Sequence, residues 1–400
     1  MEYLEKSLTI HLYRYEEVVS SLIWSIIQRN YTESVFWALE LYDSGMMDGI
    51  FQKLQEAWLL YAGFGPNCYS VLLQMNHSEI ARDDMVKMLY MWSRVKPDAT
   101  VGHLLIRGSV APTSWTIRFP HSSVYKTLEM AIHDCLKRRK TLEAWTLSRA
   151  MSVKDKWDIL YREIPNGSYR HSIFKTIQAL KISEHVRLAT CFVLATIPDI
   201  FLKASVIEVT PVAIPSELLT RISDWDEENS IRKRRSLPIR PEAITYTCER
   251  SSLPMKESAL IDIQYNLEEN LKNSYCWQII LGDYMEDGNW KSDTYKEMFY
   301  NTYFSYPSDD IPDEWPSKDK ELSHGRGLGK STEVALRQHV SYMLRNKTCL
   351  GAYTCGITTP REMPLTLQWD IIYTHLQGDC SEFLESQLPF TSIVKIFEVV

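Results

Sequence analysis

Glycine is in short supply: 15 residues in a chain of 400, below the usual ~7%. Asn-Gly and Asp-Gly pairs are correspondingly few. Tight hairpins need residues that tolerate positive φ, so the shortage argues against a β-meander and favours helices. Cysteine is present without a ligand pattern. The eight cysteines at 68, 135, 191, 248, 276, 349, 355 and 380 form no CxxC pair, and even the nearest two, Cys349 and Cys355, are wider apart than paired zinc ligands usually stand. Reduced, buried thiols are the expectation. Long apolar runs are missing too. The longest, Leu188 to Leu202, is broken by Pro198 and Asp199, short of the ~20 residues a membrane span requires. The opening MEYLEKSLTIHLYRYEE carries acids and lacks the apolar stretch of a secretory signal. There is no HExxH, no GxSxG elbow and no histidine pair at ligand spacing. A soluble intracellular protein with no cofactor and no membrane contact is expected.

What the chain does have is ordinary in bulk and rich in aromatics. Apolar residues make up 45% and charged residues 24%, the balance of a globular protein. Its net charge of −7 disfavours a protein that coats nucleic acid over its whole surface. Twelve Trp and 22 Tyr suit broad helix–helix or partner contacts.

The first half has helical rhythm. Val18, Val19, Leu22, Ile23, Ile26 and Ile27 form one apolar stripe. Asn30 and Glu33 have capping-box spacing, with Val35, Phe36, Leu39 and Tyr42 following and Gly45 as a stop. Asp48 is placed to cap the next helix, which carries Ile50, Phe51, Leu54, Trp58 and Tyr61 and ends at Gly63. Asn76 and Glu79 repeat the cap spacing. Further stripes run through Val124 to Cys135, Trp145 and Leu147, Trp157 to Tyr161, Ile173 to Leu180 and Arg187 to Ile197. Short polar connections make successive helices antiparallel. The fold class expected is mainly α: an irregular stack of antiparallel helix hairpins with a smaller mixed, mostly helical C-terminal domain. No fixed repeat is present. Within the stripes, Glu33, Trp37 and Glu40 fall partly on the polar side, where they could serve a partner face.

The pattern changes after Lys203. ASVIEVTPVAIP suits an extended segment, and DWDEENSIRKRRSLPIRPEA, acidic, then basic, then proline-bearing, reads as an exposed linker. The expected domains are therefore 1–204, a linker at 205–255, and 256–400. In the last of these, residues 259–281 begin helix-like, although Trp277 to Asp283, WQIILGD, has the look of a strand. An aromatic segment, YKEMFYNTYFSYP, follows, and a helix is expected over Ser331 to Leu344.

Three features invite chemistry. The first is SHGRGLGKST at 323–332. A phosphate loop is G-x-x-x-x-G-K-[ST] between a buried strand and a helix. Here one residue is missing between Gly325 and the Gly329-Lys330 pair, the position that should be glycine is His324, and Glu314 to Glu321 give no strand to launch the loop. A triphosphatase is disfavoured. Gly325, Arg326, Gly327, Gly329, Lys330 and Ser331 still make a candidate anion or nucleotide site at a helix N-terminus, or else a plain glycine-rich connection. The second is basic: Arg232, Lys233, Arg234 and Arg235 on the linker, with Lys137, Arg138, Arg139 and Lys140 at a helix end. Such runs serve as import signals or nucleic-acid contacts, or as solvated charge and complements to a helix dipole. The third is acidic: Asp309, Asp310, Asp313 and Glu314, and Asp283, Glu286 and Asp287. Neither group has calcium-loop spacing, and no metal is expected.

ESVFWALELYDSG at 33–45, and IPDEW at 311–315 followed by SHG at 323–325, resemble uncharacterised proteins of large nucleocytoplasmic DNA viruses. The resemblance implies a viral setting, in virion or host cell, and supplies no catalytic residues. The function expected is that of a non-enzymatic interaction or scaffold protein in a viral assembly, replication or transcription complex, with other proteins as partners. The alternatives are a nucleic-acid-associated protein using the basic runs and an anion binder at 325–331.

Overall fold

The computed structural model describes residues 7–63, 80–95, 98, 100–109, 117–118, 127–198, 213–227, 237, 239–240, 243, 266–303 and 398–399. The described residues are mainly helical, with two short two-stranded antiparallel pairs beside many packed helices. No helix among them is long and apolar enough to cross a membrane.

The chain forms two compact units, Met1–Asp48 with Ala213–Glu362, and Gly49–Val212 with Met363–Val400. The division expected at 205–255 follows chain order; the compact units do not, because the first helix hairpin groups with the second half.

Unit one opens with α1 (Tyr15–Ile27) and α2 (Tyr31–Asp43), packed side by side. Their junction needs no glycine. Arg29 adopts φ +59°, and Asn30 N–H and Arg29 N–H close onto Ser25 O and Ile26 O at 2.9 Å each, the paired bonds of a Schellman stop. Asn30 then caps α2, its side chain accepting Glu33 N–H at 3.2 Å. The Glu33 carboxylate, expected to reach back to Asn30, instead pairs with Arg240.

Within 205–255 the described residues pack. In α11 (Ser216–Glu227), Leu218 and Ile222 are buried on one face and Trp225 meets Phe36 edge-on at 5.2 Å. The acids of DWDE occupy its last turn. Tyr13 Oη donates to Leu237 O at 3.0 Å and accepts from Leu237 N–H at 2.9 Å, with Ile239 and Ala243 buried nearby in sequence.

Next come α12 (Leu267–Lys272), α13 (Tyr275–Tyr284), the hairpin of β1 (Met285–Glu286) and β2 (Asn289–Trp290), and α14 (Asp293–Tyr303). The strand expected at WQIILGD is helical. Its short apolar run fits either period, but Trp277 and Leu281 are buried four residues apart while Ile279 is 65% exposed. The hairpin between turns on Asp287 and Gly288, with φ +48° and +77°, the positive-φ pair that a two-residue turn demands.

Unit two contains α3 (Ile50–Tyr61), α4 (Arg82–Arg94), α5 (Thr100–Ser109), α6 (Leu128–Lys137), α7 (Thr141–Ser148), α8 (Val153–Glu163), α9 (Tyr169–Ala179) and α10 (Glu184–Thr196). Ile117–Arg118 pairs antiparallel with Glu398–Val399. Helix α3 is led by Gly49 at φ +80° without a side-chain cap, in place of the expected Asp48 cap. The centre is α10, the core of the longest apolar run. Residues 188 to 194 are all buried, and α10 packs on α3, α5, α6, α7, α8 and α9. A helix apolar on every side belongs inside. Its two embedded threonines bond inward, Thr190 to Val186 O at 2.7 Å and Thr196 to Thr141 at 2.6 Å. Its last carbonyls are met by Arg170, which donates to Ile197 O at 2.7 Å and also to Leu194 O.

Candidate functional site

The Lys137–Lys140 run is a helix-to-helix turn. It repeats the α1–α2 junction: Arg139 has φ +60°, and Lys140 N–H and Arg139 N–H reach Cys135 O at 2.8 Å and Leu136 O at 3.0 Å. Two of its cations are already engaged by carboxylates, Arg138 with Asp134 at 2.9 Å and Lys140 with Glu143 at 3.3 Å. Arg232 to Arg235 and Gly325 to Ser331 lie outside the described residues, as do Asp309 to Glu314 and the Ser331 to Leu344 segment. Asp283 closes the α13 end, and Glu286 and Asp287 sit in the hairpin strand and turn. No group of three or more metal-ligating side chains is found among the described residues.

The partner face suggested for Glu33, Trp37 and Glu40 does not form. Trp37 is 2% exposed and Glu40 is fully buried. Helix α2 is covered on that side by the Ser7–Arg14 loop, a turn closed by the Leu8–Arg14 bridge. A buried loop must find partners for its backbone groups, and side chains from distant segments supply them. Glu40 accepts His11 N–H at 3.2 Å and holds His11 Nδ1 at 2.6 Å. Ser44 accepts Ile10 N–H at 3.0 Å, Ser274 accepts Leu8 N–H at 2.8 Å, and Trp277 Nε1 donates to Thr9 O at 3.0 Å. A polar residue on an apolar helix face is read as exposed by periodicity alone. Here it faces a loop that periodicity does not report.

The described cysteines 135, 191 and 276 are free and buried. Burial pushes the Cys135 and Cys276 thiols up to about 12, with Glu143 and Glu40 respectively adding to the shift, so neither is a ready nucleophile.

The surface of unit two carries a different arrangement on α8. Ser152 caps the helix by accepting Asp155 N–H at 3.2 Å. Ile159 and Leu160 point into the core, while Val153, Trp157 and Tyr161, each four residues from the last, form an outer stripe. Val153 is 44% exposed and Tyr161 38%, with Trp157 half-buried. Beneath them the buried Phe174 of α9 meets Trp157 and Tyr161 edge-on at 5.9 and 5.0 Å.

The polar tips of the stripe are held from the side. Trp157 Nε1 donates to Glu184 at 3.3 Å, Tyr161 Oη donates to Gln178 at 2.5 Å, and Lys175 lies 4.7 Å over the Tyr161 ring. The rings are therefore fixed in orientation, with their satisfied polar ends at the rim. Fixed aromatics inside a charged rim are what buried interface centres are made of. The 157–161 spacing is visible in the sequence as a core stripe, and only the packing of Phe174 from α9 shows which part stays outside. No protein-family model, curated protein or solved structure matches this chain.

Proposed function

We propose that this protein is a non-enzymatic interaction protein, a scaffold of helix hairpins that seats an apolar segment of another protein against α8. The observation carrying this reading is the Val153–Trp157–Tyr161 stripe, apolar side chains part-exposed along one side of α8 with both ring tips hydrogen-bonded in place. Preorganised side chains lose little entropy on binding. The resemblance to proteins of large DNA viruses supports placing the complex in viral assembly, replication or transcription. The nucleic-acid reading has less support, because at Lys137–Lys140 two cations already hold carboxylate partners, which weakens their pull on phosphates.

Affinity capture of the full chain from its native cells, with and without nuclease, separates the two. Partners that survive nuclease and are lost when Val153 and Tyr161 are both changed to Glu support the scaffold. Partners that vanish with nuclease and ignore that double change support nucleic-acid association.

A further inference from the structure

The turn between α8 and α9 holds the one Asn-Gly pair of the chain, Asn166-Gly167. Pro165 to Ser168 form a tight turn, closed by Ser168 N–H on Pro165 O at 3.4 Å, with Ser168 Oγ donating to the same oxygen at 2.8 Å. Gly167 stands in it at φ +79°, the left-handed place that a type II turn gives to glycine. Pro165, Asn166 and Gly167 are all exposed. A Cβ placed on Gly167 would meet nothing within 4 Å, so the space around this stretch of backbone is open. Among the described residues, neither the Asn166 side-chain amide nor the Gly167 N–H has a hydrogen-bond partner.

These are the conditions under which an asparagine reacts with its own main chain. A five-membered ring closes when the nitrogen of the following residue reaches the side-chain carbonyl carbon. A side chain on that following residue crowds the approach, and glycine has none. A nitrogen or an amide already held by a hydrogen bond must first give it up. Other described asparagines fail on these counts, and none precedes a glycine. Asn30 accepts Glu33 N–H at 3.2 Å, and Asn289 donates to Asp287 O at 3.3 Å. Asn273 is exposed, but the Ser274 N–H after it is bonded to Leu271 O at 2.9 Å. Asp287-Gly288 has the glycine and a carboxylate in place of the amide, with no ammonia to lose.

We infer that Asn166 is a self-modification site, converting to aspartate and isoaspartate in the folded protein with water as the co-reactant. Gly167 N bonds to Asn166 Cγ and gives its proton to solvent, and the side-chain nitrogen leaves as ammonia. Water then opens the cyclic imide. Attack at Cγ restores the main chain with an aspartate; attack at the Asn166 main-chain carbonyl carbon routes the chain through the side chain as isoaspartate. Either product makes the chain one charge more negative. It sets a carboxylate two residues ahead of Ser168, which caps α9 by accepting His171 N–H at 3.1 Å. Negative charge is favoured at a helix N-terminus, so the fold accommodates the aspartate form. Isoaspartate adds a methylene to the backbone inside the Pro165–Ser168 turn and disturbs its closure. None of this depends on α8 being a docking face.

The test is incubation of the full chain in warm, mildly alkaline buffer, followed by peptide mapping that separates asparagine, aspartate and isoaspartate forms. A synthetic peptide of residues 161–172 gives the rate of an unrestrained Asn-Gly pair. Conversion is expected at Asn166 at a rate comparable to the peptide's, rising with pH because the attacking nitrogen must shed its proton. The segments holding Asn30, Asn273 and Asn289 are expected to stay intact. Conversion at position 166 should be lost in Asn166→Gln, whose longer side chain closes a larger ring less readily and leaves the turn glycine in place. Asn166 intact over the time in which the peptide converts would mean that the turn guards it, and would overturn the site. So would a glycan on Asn166 in protein from native cells, since Asn166-Gly167-Ser168 has the spacing of a glycosylation acceptor and a glycosylated amide has no ammonia to lose.

Discussion

At the scale of single residues, the fold rests on polar groups taken inside with their partners. Glu40 is the clearest case. Fully buried, it serves both the backbone and the ring of His11, so it ties α2 to the N-terminal loop. Removing one member of a buried, bonded pair costs about 3–5 kcal/mol. Glu40→Ala should destabilise unit one by that order in chemical denaturation, and Glu40→Gln, which can still accept, by less. A loss under about 1 kcal/mol for the alanine variant would show that the loop is not held this way.

His185 gives a prediction with a sign. Its folded pKa is lowered, by burial first and then by Lys156 and Arg149, from an ordinary value of 6.5. The folded protein thus resists the proton that the unfolded chain accepts. Where the unfolded state binds more protons, stability rises with pH. The contribution of His185 is complete above pH 6.5 and is lost as pH falls from there through the lowered folded value. Melting temperature should drop across that window, and the drop should be shallower in His185→Gln. An identical slope in the two proteins would remove this histidine from the account.

At the scale of elements, the scarcity of glycine has a structural counterpart. The α1–α2 and α6–α7 hairpins both stop on a Schellman turn with arginine at positive φ, Arg29 and Arg139. Glycine usually occupies that place. A side chain with a linear Cβ tolerates it at modest cost, whereas a β-branched one is strained there. Arg139→Val should therefore be less stable than Arg139→Gly by about 1–2 kcal/mol. Equal stability of the two variants would mean that the turn relaxes.

Much at this scale could be read in advance. The stripes of α1, α2, α9 and α10, the Asn30 cap and the Gly45 and Gly63 stops are local signals, and they appear at those residues. Two local readings fail where something outside the window decides. Glu33 is drawn off by Arg240, about two hundred positions away in the chain. WQIILGD is set as a helix by what Trp277 and Leu281 are buried against. The Asp287-Gly288 turn, by contrast, is a local signal, its dipeptide a strong hairpin cue set at positive φ.

At the scale of the molecule, sequence order misleads about which parts fold together. The N-terminal loop lends its backbone to Ser274 and Trp277 in the second half of the chain, a pairing that no hydrophobic period encodes. Candidate sites suffer similarly. Charge runs and glycine motifs stand out in a sequence because they are contiguous. The Trp145–Lys156–His185 cluster, with Lys156 over the Trp145 ring and His185 beside it, does not, because its side chains come from separate helices. The α8 stripe, regularly spaced along one helix, shows which side stays outside only once Phe174 is placed. The physics that builds them is tertiary: a Trp or Lys is inside or outside only once its neighbour is placed.

Whether α8 is a protein-binding face decides the proposed function. A photo-reactive amino acid placed at the exposed position of Val153, with a matched one at the exposed Glu286 of the hairpin in unit one, tests this inside native cells. The prediction is a discrete protein cross-linked from position 153 and not from 286, lost when Tyr161 is changed to Glu. The same products from both positions, or none from 153, would contradict it.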